Sequence, residues 1–188
     1  MSMPSINLDC EKCDFHGSTS TVWGDFKYIE NKNEFHLTRT LGWCFDCQRF
    51  VPIEDFSNID EVIAEIGTLT AELKSDYEKW LSFLFSIFTR KHTIGRVDEI
   101  SDLAKRLSLI RQRKGSEKCL ACGSSNIKPF DGDYSLEFEV MEGLVQGSKR
   151  TGFTHPDCGG EIIASSSGMR LNMRFSPRYY NFDGSAFS

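Results

Sequence analysis

The sequence predicts an α+β protein in which two small β lobes, one in each end segment, flank a long antiparallel helical hairpin. Three observations predict it. Closely spaced cysteine and histidine pairs occur between Cys10 and Cys47 and again between Cys119 and Cys158. Apolar and polar residues alternate between those pairs, and from Ser57 to Lys114 the apolar period changes to threes and fours. The chain has 188 residues, room for one ordinary domain or two small ones with a connector. With 39% hydrophobic and 26% charged residues it is not a mostly disordered chain. The expected units are residues 1–56, 57–115 and 116–188.

The seven cysteines carry the chemistry. They stand as Cys10 and Cys13, Cys44 and Cys47, Cys119 and Cys122, and Cys158 with His155 three positions ahead. Such a knuckle curls two side chains around one ion, so a tetrahedral zinc needs a second knuckle from elsewhere. Pairing neighbours along the chain gives a four-cysteine set, Cys10, Cys13, Cys44 and Cys47. It also gives a three-cysteine, one-histidine set, Cys119, Cys122, His155 and Cys158, with no cysteine left over. Two Zn²⁺ are expected, with iron the alternative in the four-cysteine set because four thiolates also suit iron. Redox Cys-x-x-Cys motifs usually occur singly, where a strand meets a helix, and here three occur with no βαβ pattern around them. His16, His36 and His92 have no partner at ligand spacing and read as surface or turn residues.

Disulfides fit poorly with an odd cysteine count in a chain that opens MSMPSINLDC, without the basic and apolar regions of a secretory signal. A cytoplasmic location is expected, where thiols stay reduced. The most apolar stretch, Trp80 to Phe88, is about half the ~20 residues that cross a bilayer, so no membrane span is expected.

The two halves resemble each other. Gly42-Trp43-Cys44-Phe45-Asp46-Cys47 is matched by Gly152-Phe153-Thr154-His155-Pro156-Asp157-Cys158, with one threonine inserted, and an apolar run follows each. Before them, Phe26 and Tyr28 lead through an Asn31-Lys32-Asn33 turn to Phe35, Leu37 and Leu41. In the second half Tyr134, Leu136, Phe138 and Val140 alternate with polar residues. Paired knuckles on a short antiparallel sheet, including Cys119-x-x-Cys122-Gly123, resemble the zinc-ribbon family over about residues 8–56 and 117–180. The first knuckle has Asp14 where that family has glycine, and its knuckles are more widely spaced. The resemblance implies a binding module without naming its partner.

In the middle, Ser57-Asn58-Ile59-Asp60 reads as a helix start, and apolar residues from Ile59 to Ile87 follow at helical spacing. A break is expected at Thr93-Ile94-Gly95, with a second helix from Val97 to Ile110 that stops before Gly115. Trp80-Leu81-Ser82-Phe83-Leu84-Phe85-Ser86-Ile87-Phe88 is apolar all round and must be covered on more than one side. Either the lobes fold over it, or Trp80, Phe83, Phe85 and Phe88 anchor a protein partner or a second copy.

Residues 89–118 carry nine basic against four acidic side chains in a chain of net charge −5. A charged helix face is ordinarily just solvated, while the functional reading is a phosphate-contacting stripe. Its candidates are Lys105, Arg106, Arg111, Arg113 and Lys114, joined by Arg170, Arg174 and Arg178 of a C-terminal strand. Catalysis finds little support: both ligand sets are full, and no glycine-rich phosphate loop or nucleophile elbow occurs. The expectation is a non-enzymatic adaptor with two structural zinc ions. It would dock a protein or a second copy through hairpin and lobes, with no small-molecule substrate. The alternative is a nucleic-acid-binding protein.

Overall fold

The computed structural model of the chain describes the backbone of residues 2–30, 33–82, 87–136, 138–139, 144–145, 147–172 and 175–187. Side chains are described over those spans except 2–4, 76–82, 87–94, 138–139, 144–145 and 169–172. The first half holds β1 (Ser2–Cys10), β2 (His16–Ser18), β3 (Phe26–Glu30), β4 (Asn33–His36), β5 (Arg39–Cys44) and β6 (Arg49–Glu54). Helices α1 (Ile59–Ser82) and α2 (Ile87–Arg113) follow. Then come β7 (Ile127–Pro129), β8 (Phe138–Glu139), β9 (Leu144–Val145), β10 (Ser148–Thr154), β11 (Glu161–Asn172) and β12 (Arg178–Tyr180).

The sheets interleave the two end segments. One has the order β10-β11-β1-β2, a second β12-β3-β4 and a third β6-β5-β7, while β8 pairs with β9. β1 runs antiparallel to β11 and sets Cys10 opposite Ile162. β5 runs antiparallel to β7 with Cys44 opposite Ile127, and β12 lies parallel to β3 with Arg178 opposite Phe26. Most of these strands have three to six residues, and an isolated hairpin of that size is marginal in water. Pairing across the helices makes three- and four-stranded sheets from pieces that could not stand alone. The mixed α+β class holds, but each larger sheet contains strands from both sides of the hairpin.

The helices begin and end where local chemistry dictates. Asp55 Oδ1 accepts from the Ser57 N–H at 2.9 Å and its hydroxyl at 2.6 Å, turning the chain into α1. Asp60 and Glu61 occupy the first turn of α1, and Arg111 and Arg113 the last turn of α2, both complementing the helix dipole. Gly115, at φ +86°, takes the left-handed position that closes α2. Val62 and Ile66 pack with Leu103, Leu107 and Ile110, and Arg96 reaches Glu72 at 3.4 Å, so the helices are antiparallel.

Two expectations of local structure are corrected. Thr93, Ile94 and Gly95 lie inside α2 rather than at a break. One helical glycine costs only about 1 kcal/mol relative to alanine, which a 27-residue helix absorbs. Among the described residues the strand expected through Tyr134 is limited to Phe138–Glu139. Asp133 Oδ1 accepts from the Ser135 N–H and hydroxyl in a local turn, and Tyr134 and Leu136 both pack onto the core. Phe83, Phe85, Val140 and Arg174 lie outside the described residues, and of Trp80, Phe88 and Arg170 only the backbone is described. Among the described residues no helix is long and apolar enough to cross a membrane.

Two main cores result. On the hairpin side, Phe26, Tyr28, Phe35, Leu37, Phe56 and Tyr180 bury the base of α1 and α2. On the other side, Leu8, Leu41, Trp43, Phe50, Phe153 and Ile162 form a strand-only core. Between the helices and β6 lies a buried ion pair. Glu54, fully buried, takes both arms of the Arg113 guanidinium at 2.6 and 2.7 Å. It also accepts from the Tyr28 hydroxyl at 2.5 Å and the Lys118 N–H at 2.9 Å.

Candidate metal centres

The four knuckles sit at strand ends. Cys10 ends β1 and Cys13 follows in the turn to β2; Cys44 ends β5 and Cys47 lies in the turn to β6. His155 and Cys158 fill the turn from β10 to β11, and Cys119 and Cys122 precede β7. In three knuckles the residue after the second ligand has positive φ: Gln48 (50°), Gly123 (78°) and Gly159 (68°). The Gly123 N–H returns to the Cys119 carbonyl at 2.8 Å, and that of Gly159 to the His155 carbonyl at 2.9 Å. These turns are what aim both side chains of a knuckle at one point.

The structure gathers all eight candidate ligands into two groups, but not the pairs that chain order suggests. Cys10 and Cys13 meet His155 and Cys158, and Cys44 and Cys47 meet Cys119 and Cys122. The expected sets are corrected: the histidine belongs with the first knuckle, and the four-cysteine group is made of the second and third. The sheets give the reason. Antiparallel β1 and β11 bring Cys10 beside the start of β11, and antiparallel β5 and β7 bring Cys44 beside the loop after Cys122.

In each group the potential ligand atoms lie within 4.8 Å of one another. In the first, here site 1, Cys158 Sγ is 3.3 Å from Cys10 Sγ, 3.4 Å from Cys13 Sγ and 3.3 Å from His155 Nδ1. In the second, site 2, Cys44 Sγ is 3.6 Å from Cys122 Sγ and Cys47 Sγ is 3.9 Å from Cys119 Sγ. Four sulfurs at ~2.3 Å around one ion sit roughly 3.8 Å apart, so both groups have the dimensions of a tetrahedral site. The donor set of thiolates and imidazole suits zinc or iron rather than a hard cation. Crowding also splits the thiols: against burial, hydrogen bonds lower Cys10 and Cys122, while their neighbours are raised. Burial and the neighbouring thiols push Cys47 upward. Burial, with Cys122 and Cys44 adding, holds Cys119 at about 11, although the Ala121 and Cys122 N–H groups oppose it. At site 1 the Phe15 N–H favours the Cys13 thiolate, but Cys158, burial and Cys10 override it and push the thiol up to about 11.

Supporting contacts fix each group. Beside site 1, Arg150 bridges Glu11 and Glu161, each at 2.9 Å, and the Lys12 ammonium donates to the Gly159 carbonyl at 3.2 Å. Gly160 permits the approach: a Cβ there would come within 2.6 Å of Cys10 Sγ and 2.9 Å of the Lys12 Cβ. Beside site 2, the Asn126 amide donates to Asp46 at 3.2 Å and the Phe45 N–H to the Asn126 carbonyl at 3.0 Å. Hydrogen bonds from Ser124 and Asn126 hold the Asp46 carboxyl below its ordinary value. His16 is exposed and pairs with Asp9 at 2.9 Å, and His36 is exposed on β4.

The basic candidates are dispersed. Arg113 points inward to Glu54 and is not available to a phosphate, and Lys105 pairs with Asp102 at 3.1 Å. Arg106 is half-buried, its ionisation range lowered by burial. Arg111, Lys114 and Arg178 are exposed, Arg178 with its guanidinium 5.1 Å over the Phe26 ring. Reading the sequence missed Glu54, because its partner lies 59 positions away and no local pattern marks it. No protein-family model, curated protein or solved structure matches this chain.

Proposed function

We propose that the chain is a zinc-stapled interaction protein. One zinc at each site ties short strands from distant parts of the chain together, and the helical hairpin is carried as a docking arm for a protein partner or a second copy. The observation behind this reading is that each group offers four protein donors at tetrahedral spacing. Four protein ligands are the pattern of a structural site, whereas a catalytic zinc keeps a position open. When bound, the metal supplies cross-linking energy that small lobes lack in their cores. Support for the arm comes from where packing onto the sheets ends. Among the described side chains, the apolar residues of the hairpin-side core reach to Ile66 on α1 and back to Leu103 on α2. Beyond them lies the sequence Trp80–Phe88, too apolar for a solvated tip.

Elemental analysis of the purified chain should give two zinc per chain, and chelation should abolish its cooperative melting. A chain that melts identically with and without its metal overturns the stapling role. Replacing residues 67–102 by a short Gly/Ser linker should leave the zinc content unchanged and remove self-association in sedimentation. Association that survives this deletion overturns the arm. A parent chain that stays monomeric at high concentration removes the second copy and leaves a protein partner.

A further inference from the structure

Resting on the two-zinc reading, we propose that the two sites differ in kind: site 1 is an exchangeable zinc clasp, and site 2 holds its zinc permanently. Three features separate them. The first is access. At site 2, Cys44 and Cys119 are both 0% exposed, walled in with Val51, Ile53 and Ile127, while Cys47 is half-buried and Cys122 exposed. At site 1 no sulfur is buried: Cys10 and Cys13 are half-buried and Cys158 is exposed. Three of the four ligand residues of site 1 are at least partly exposed, against two of the four at site 2.

The second feature is the histidine. A ligating imidazole ordinarily donates its other N–H to a carboxylate or carbonyl, which fixes the ring and makes it a better ligand. Losing that partner typically weakens metal binding about 10–100-fold. His155 offers Nδ1 to site 1, beside Cys158. Its Nε2 is buried without a hydrogen-bond partner. Apart from the contact of Nδ1 with Cys158, the ring packs on aromatic neighbours, edge-on to Trp43 at 4.7 Å and tilted against Phe15 at 5.0 Å. Packing orients this ligand, and among the described residues no carboxylate or carbonyl accepts from its Nε2. The third feature is the donor set, which has one thiolate fewer than site 2.

The location gives the difference a consequence. Site 1 joins the β1–β2 turn to the β10–β11 turn at one end of the four-stranded sheet. The β1–β11 ladder ends at site 1, where Cys10 lies opposite Ile162, and runs away from it to Ser2 opposite Asn172, while the hairpin-side core contains none of its ligands. Zinc can therefore leave site 1 and loosen that sheet end while the rest of the chain stays folded. Site 1 becomes a place where zinc availability changes the surface the protein presents.

The test uses the full-length chain saturated with zinc and a graded chromophoric chelator, with native mass spectrometry counting ions and hydrogen exchange locating the change. The expected result is release in two steps of one zinc each, the first at least about ten-fold faster. Exchange should then rise at residues 10–18 and 153–163 while 44–53 and 119–129 stay protected. Release of both ions in one step, or a first step that exposes 44–53, overturns the proposal. Fewer than two zinc ions at saturation overturns the two-zinc reading first, and this proposal with it.

Discussion

The strand-only core and the hairpin-side core are similar in makeup, both rich in aromatic side chains, yet different forces secure them. In the strand-only core Phe15, Trp43, Phe50, Phe130 and Phe153 meet mainly edge to face at 4.7–5.6 Å, with site 1 at the margin against Trp43 and Phe15. Among the described residues neither α1 nor α2 contributes to it, and its strands reach it from opposite ends of the sequence. The hairpin-side core has two long helices over a three-stranded sheet and is locked by Glu54 and Arg113. Where local structure is abundant, the fold needs one long-range polar lock. Where it is scarce, the ligand groups offer the cross-links that the proposed zinc ions would make.

The largest break should come at site 2. Cys119→Ser removes a buried donor from a site of the kind that contributes on the order of 10 kcal/mol when filled. The zinc content should fall to one per chain and the strand-only side should lose its near-UV signal, while far-UV helix signal is retained. A variant that keeps both ions would show that the comparison is misplaced. Acid should act in the same direction. Because Cys119 is held at about 11, its proton must leave before a metal binds. Zinc uptake should release protons, and zinc affinity should rise with pH through the neutral range and fall as the solution is acidified. Competition titrations at several pH values measure that slope.

On the other side, Arg113→Met strands the buried Glu54 and should cost about 3–5 kcal/mol in urea unfolding without changing zinc content. Adding Glu54→Leu should recover most of that loss; no recovery would mean that the lock is more than a charge pair. A smaller and more local effect is expected from Gly160→Ala, whose Cβ intrudes on Cys10 Sγ. Overpacking of this kind costs about 1–3 kcal/mol. Here it should appear as loss of one zinc, that of site 1, with the hairpin-side core unaffected. Arg150→Ala should do least. Its ion pairs to Glu11 and Glu161 are exposed, and the melting change should stay within about 1 kcal/mol.

The parts that were legible in the sequence were those encoded within a few residues. Ligand spacing named all eight metal-binding candidates, helical periodicity located Ile59 and the end of α2 before Gly115, and alternation found the strands through Phe26 and Phe35. What failed was long-range choice. Knuckle separations of 34 and 36 positions suggested sequential pairing, but ligand spacing cannot say which strands become neighbours. That choice was made by the burial of Leu8 against Ile162 and Ala164, and by the close approach of β5 to β7. The parallel pairing of β12 with β3 is likewise decided in three dimensions, by the stacking of Tyr180 on Phe26. Gly95 misled for a different reason: one glycine costs a helix only about 1 kcal/mol, which the length of α2 absorbs.

The nesting of the two ligand groups, one inside the other along the chain, dictates an order of events during synthesis. Site 2 can close once Cys122 has left the ribosome, whereas Cys10 and Cys13 must wait for His155 and Cys158, with 145 positions separating Cys13 from Cys158. At roughly 5–20 residues per second that wait is on the order of ten seconds. With a metal at each site, the inner staple would set first, and the thiols of the first knuckle would be the last to be committed.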